Sequence, residues 1–139
     1  MGVEINGLSS LLKELDAAGK SLTYEEVKNI HREVAMPMIN DMKAGAPTSD
    51  IRESIGFITK KDDKYPKVTL IGPRYSNGYN GQLAHIFEFG TRERFTKDGE
   101  NRGYITAHPF IRPAFDRHQN KIVTDIGNKI FKLVQNKLK

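Results

Sequence analysis

The end of the chain sets the strongest constraint on what it can fold into. Phe115, Ile122, Ile126, Ile130, Leu133, Val134 and Leu138 recur at the spacing of one helical face. Pro113 precedes them; proline suits the first turn of a helix and keeps the residue before it out of the α region. The pattern predicts one long helix starting near Pro113, with an apolar stripe that must be covered. A second long stripe is available to cover it. Thr23-Tyr-Glu-Glu26 is a capping box, and Val27, Ile30, Val34, Met38 and Met42 then mark one helical face to about Ala44. Pro37 lies inside that pattern and predicts a kink near 33–36. A shorter amphipathic helix is expected earlier, with Asn6 as its N-cap, leucines at 8, 11, 12 and 15, and Gly19 after the last of them.

Between these helices the signals change. Gly45–Ser49 is a break, and Ser49 is placed to cap a short turn over 50–54. Residues 55–60 and 67–72 read as two strands joined by the charged turn Lys61–Pro66. Phe57 and Ile58 are adjacent, as are Leu70 and Ile71, which suits strands covered on both faces. After a Gly/Asn/Tyr-rich loop, the short apolar run Leu83–Phe89 predicts a helical turn, with a strand as its near rival and Gly90 in the place of a C-cap. Thr91–Ala107 is polar and carries Asp98-Gly99, which predicts an exposed, mobile hairpin or loop. Gly127, inside the last helix, predicts close approach of another element. The whole reads as a single α+β domain over 1–139: a small antiparallel sheet packed with N-terminal helices and a long C-terminal helix.

Composition narrows the function classes. Of 139 residues 37% are hydrophobic, enough for one modest core, and mean hydropathy is −0.55. No apolar run approaches a membrane span, and Met1-Gly-Val-Glu-Ile lacks a signal-peptide pattern, so a soluble chain made in a cytoplasm is expected. The absence of cysteine excludes disulfides, thiol nucleophiles and Cys-based metal sites. The net charge of +5 resides entirely on residues 111–139, where seven basic side chains face two acidic ones. Such a segment reads first as a solvated helical face, and second as a surface for an acidic partner or DNA, with Arg117, Lys121, Lys129 and Lys132 as its candidates. A helix-turn-helix forced onto residues 6–44 would carry more acid than base, which phosphates repel.

Catalytic signals are sparse. His85 and Glu88 share a helix face and are the one pair suited to a metal or to acid–base work, but two ligands are fewer than a metal site requires. His31, His108 and His118 have no acidic partner at ligand spacing. Gly78-Tyr-Asn-Gly81 lacks the lysine and helix start of a phosphate loop, and there is no Gly-x-Ser-x-Gly elbow. No catalytic, cofactor or metal residue is assigned, and no cofactor is expected. Two segments nevertheless look over-specified for a scaffold: Ala84-His85-Ile-Phe-Glu88-Phe89-Gly90-Thr91 and Ala107-His-Pro109-Phe110-Ile-Arg112-Pro113-Ala114-Phe115. Each sets a charge inside an apolar frame, and a desolvated charge needs a partner. The simplest expectation is that Glu88 pairs with Arg112, within the chain or across a subunit boundary.

Those two segments also carry a resemblance. In order along the chain stand Gly7-Leu8-x-x-Leu11, Ala46-Pro47 leading to Ile51-x-x-Ser54-Ile55, Gly72-Pro73, the Ala84–Thr91 core, the Pro109–Ala114 box and the terminal helix. This series resembles the minor tail-component proteins of long-tailed bacteriophages, the tail-completion or head–tail joining family. Asp50 stands where that family tends to have glycine. The resemblance implies a non-enzymatic virion protein of the tail and neck region, assembled in the host cytoplasm as a ring, with a hexamer as the family's form. It implies tail tube or tail terminator and head-completion proteins as partners, DNA only as cargo through the channel, and no membrane. The residue-level alternatives are a nucleic-acid binder using the basic C-terminal helix and, behind it, a metal-dependent hydrolase built on His85 and Glu88.

Overall fold

A computed structural model describes residues 7–20, 22–60 and 68–138. The elements are α1 (Leu8–Lys20), α2 (Tyr24–Gly45), α3 (Ser49–Ser54), β1 (Ile55–Lys60), β2 (Val68–Pro73), α4 (Ala84–Phe89) and α5 (Ile111–Lys137). A single 3-10 turn, Gly81–Leu83, leads into α4. The class is α+β: among the described residues there are five α-helices and one two-stranded antiparallel sheet, and α5 packs along α2 and touches α1. Asn6, the turn Lys61–Pro66 and the expected strand start at Lys67 lie outside the described residues.

Helix α2 begins where its capping box dictates. Thr23 Oγ1 accepts from the Glu26 amide at 3.2 Å, and Glu26 Oε2 accepts from the Thr23 amide at 2.8 Å. Val27, Val34, Ala35, Met38, Ile39 and Met42 form its buried side, and the helix runs through Pro37 as one element. Helix α3 starts one residue earlier than expected: Thr48, rather than Ser49, is the cap, and its hydroxyl accepts from the Ile51 amide at 3.2 Å.

The core gathers at one end of the molecule. Met38, Ile39 and Met42 of α2 meet Ile51, Ile55, Ala84, Phe110 and Ala114 there, all buried. Further along α5 no side chain is fully buried. Ile122, Ile126, Ile130, Leu133 and Val134 are half-buried, and a ladder of ion pairs spans the two helices. Glu26 meets Lys137 at 3.1 Å, Glu33 meets Lys129 at 2.8 Å, and Asp41 holds both Arg117 (2.8 and 2.9 Å) and His118 (2.9 Å). The basic helix therefore lies against the acids of α2.

The strands pair with Phe57 opposite Ile71, Ile58 opposite Leu70 and Thr59 opposite Thr69. Only one face is covered. Phe57 and Ile71 pack on the core, whereas Ile58 and Leu70 are each 47% exposed, which corrects the expectation of burial on both sides. Arg74 closes the chain after β2. Its amide and its Nε donate to the Ser54 carbonyl at 3.0 and 2.9 Å, and its guanidinium stacks 3.7 Å from the Tyr79 ring centroid. A Cβ on Gly56 would come within 2.7 Å of that guanidinium, which would have to shift to admit it.

The expectation that another element comes close to Gly127 is corrected. Gly127 approaches nothing within 4 Å. On α1, Leu11, Leu12 and Leu15 are 49, 57 and 43% exposed, and among the described side chains of that helix Ala18 alone is buried.

Candidate functional site

Helix α5 begins at Ile111, two residues before Pro113, and the reason is Glu88. The first four N–H groups of a helix find no acceptor within it. Here they belong to Phe110, Ile111, Arg112 and Pro113, and proline has none to satisfy. Glu88 Oε2 accepts from the amides of Phe110 (2.8 Å) and Ile111 (2.9 Å), and Oε1 accepts from the amide of Arg112 (2.9 Å). A carboxylate from α4 thus satisfies every orphan donor of α5 and places negative charge at the positive end of its dipole. Phe110, the N-cap residue, offers no side chain for that purpose. Burial on its own pushes the Glu88 carboxyl up, but the three amides, with His108 nearby, outweigh it and hold the group below the usual carboxylate range.

The predicted Glu88–Arg112 ion pair is therefore corrected. Glu88 takes the backbone of Arg112, while the guanidinium points to solvent and meets Asp116 at 3.1 Å. A backbone partner is favoured because three preorganised amides satisfy a buried carboxylate without desolvating a second charge.

Residues on either side of Glu88 extend the same join. The Phe87 carbonyl accepts from the His108 amide at 2.7 Å, and Thr91 exchanges two bonds with Ile105, at 2.9 Å each. Gly90 adopts φ +72, and a Cβ there would lie 2.7 Å from the Ile105 carbonyl oxygen. Phe110 is buried next to Gly45, and Ala84 and Ala114 complete the packing. Glu88, Gly90 and Thr91 thus form one clasp with the Pro109–Pro113 segment.

The clasp also anchors the 91–107 segment, which is a hairpin. Arg94 and Arg102–Gly103 are bonded across it, Thr96 donates to Glu100 at 2.9 Å, Phe95 bridges Asn101, and Gly99 turns at φ +86. Phe95 and Tyr104 are 59 and 65% exposed.

Beside the clasp lies an open groove of about 840 Å³. Met38 and Met42, Leu70 of β2, Tyr75, Phe89 and Phe115 line it, together with the buried Glu88 and Ala84. Phe89 and Tyr75 are 79 and 78% exposed, although both are large and aromatic. An uncovered apolar groove of this kind is a candidate interaction surface.

The residues singled out for chemistry separate. His85 is exposed at the groove, while both oxygens of Glu88 are occupied by amides. No three His, Asp or Glu side chains gather at metal-binding distance among the described residues. Of the four basic candidates, Arg117 pairs with Asp41, Lys121 with Asp125 at 2.6 Å and Lys129 with Glu33; Lys132 has no ion pair among the described residues. Sequence reasoning missed Asp41, whose carboxyl Arg117, followed by His118, holds below its usual range. It also missed the open leucines of α1, because an amphipathic stripe carries no mark of whether its own chain covers it.

No protein-family model, curated protein or solved structure matches the chain.

Proposed function

We propose that this protein is a non-enzymatic structural subunit of a long-tailed phage or prophage, completing or joining the tail at the head–tail junction as one member of a closed ring. Its partners in this reading are further copies of itself, tail tube or terminator proteins and head-completion proteins, with DNA passing through as cargo. The observation that carries the reading is the clasp. The two segments most specific to the family resemblance sit 22 to 24 residues apart, and Glu88 joins them through three hydrogen bonds. Their joint product is a wall of an open apolar groove rather than a reaction centre. A groove with two largely exposed aromatics suits a subunit that finishes its packing in an assembly.

The charge distribution favours a protein partner over DNA as the ligand. Arg117, Lys129 and Lys137 already face acids of α2, so phosphates would have to displace those carboxylates. Disrupting the gene in the phage or prophage that carries it tests the role. Packaged heads and unattached tails are expected to accumulate, and intact infectious virions would overturn the reading.

A further inference from the structure

We infer that the groove receives helix α1 of a neighbouring copy, so that adjacent subunits join head to tail through a leucine stripe in an apolar trough. This inference rests on the assembly role proposed above and names the contact that builds the ring.

Each half of the contact is present and unfilled on the same chain. Helix α1 presents Leu11, Leu12 and Leu15, about half exposed each, at the spacing by which amphipathic helices seat in apolar grooves. A helix of 13 residues is marginal alone, and among the described elements α1 packs mainly on α5. The groove is lined from α2, β2, the 75–89 region and the start of α5, with no contribution from α1. Stripe and groove therefore do not meet within one chain.

The other exposed segment near the groove fits it less well. The 91–107 hairpin carries Phe95 and Tyr104, but also Arg92, Glu93, Arg94, Lys97, Asp98, Glu100 and Arg102. Burying those charges in an apolar trough carries a large desolvation penalty, whereas the α1 stripe brings none. Size makes one such contact too small to hold a pair by itself. One face of a helix about 20 Å long and about 10 Å wide covers roughly 200–400 Å² per partner, under half of the roughly 800 Å² of a stable pair. A single contact makes a weak dimer. A subunit that donates α1 on one side and its groove on the other makes two contacts, and closure into a ring accumulates them.

The cysteine-free sequence makes the test direct. Full-length Leu12→Cys chains carrying a size tag and untagged Phe89→Cys chains are mixed, oxidised mildly and run without reductant, with tagged Leu12→Cys and untagged Val123→Cys as control, so that the mixed disulfide runs between the two homodimers. Circular dichroism of each variant verifies that it remains folded; all three positions are exposed, at 57, 79 and 73%. A heterodimeric band from the first mixture, at least tenfold stronger than from the control, is expected. No band, or a stronger one at Val123 on the open face of α5, would overturn the inference. Rings seen without the Leu12–Phe89 link would refute this contact alone. The link formed in open filaments would instead count against the ring role while leaving the contact standing.

Discussion

Replacing Glu88 tests the clasp most sharply. Its carboxylate receives three amide donors at 2.8–2.9 Å in a site where only 6% of the residue is exposed. Glu88→Gln keeps one carbonyl oxygen but turns an NH₂ group toward an amide and removes the charge from the α5 dipole. A lost charged hydrogen bond is worth about 1.5–3 kcal/mol, and the dipole contributes about 0.3–2 kcal/mol. Together they predict a loss of about 2–5 kcal/mol, and Glu88→Ala, leaving three orphan donors, costs at least as much. At this chain length 1 kcal/mol corresponds to roughly 2–8 °C in Tm. Arg112→Ala is the control: its guanidinium makes an exposed pair with Asp116, so about 0.5 kcal/mol or less is expected. Urea unfolding followed by circular dichroism measures all three. Equal costs for Glu88→Gln and Arg112→Ala would restore the ion pair and refute the backbone clasp, as would a Glu88→Gln loss under about 0.5 kcal/mol.

Further outcomes follow from the same geometry. His31 Nδ1 lies 2.7 Å from Thr69 Oγ1, and burial lowers its pKa from 6.5. The unfolded chain then binds the proton more readily, so stability is complete above about pH 6.5 and falls as the pH drops below it. His31→Gln is expected to flatten that slope in unfolding midpoints measured from pH 7 to 5; an unchanged slope would remove His31 from the account. Glu88, also lowered from its ordinary 4.5, adds a second loss as the pH falls below that value, which Glu88→Gln abolishes. Gly90→Ala places a Cβ against the Ile105 carbonyl at a positive φ, and is expected to cost about 1–3 kcal/mol. It should also speed protease cleavage within 91–107, and cleavage at the parent rate would contradict the clasp's hold on the hairpin base.

Local rules made much of the fold legible. The capping box at Thr23 forms as read, Leu83–Phe89 closes as a helical turn ahead of Gly90, the strand pair falls within a residue of its expected bounds where it is described, and Asp98-Gly99 turns a hairpin. The partner of Glu88 was not legible, because it is a helix N-terminus more than twenty residues away and backbone amides leave no residue-type signature. The same distance hid why α5 starts before Pro113. The charge excess on residues 111–139 was legible as a helix property. Its balance was not, since Glu33, Asp41 and Glu26 reach it only through the antiparallel packing of α2 on α5. Gly127 misled because a glycine inside a helix does not itself show that anything lies against it, whereas the α1 leucines were legible as a stripe, and periodicity does not say what covers a stripe.

Imaging the purified protein by negative stain, with light scattering on the same sample across concentration and salt, tests the central claim most directly. The account predicts closed rings of one subunit number, formed more completely as concentration rises, and no DNA affinity with the steep salt slope of several phosphate contacts. A monomer at every concentration that binds DNA with such a slope would contradict it.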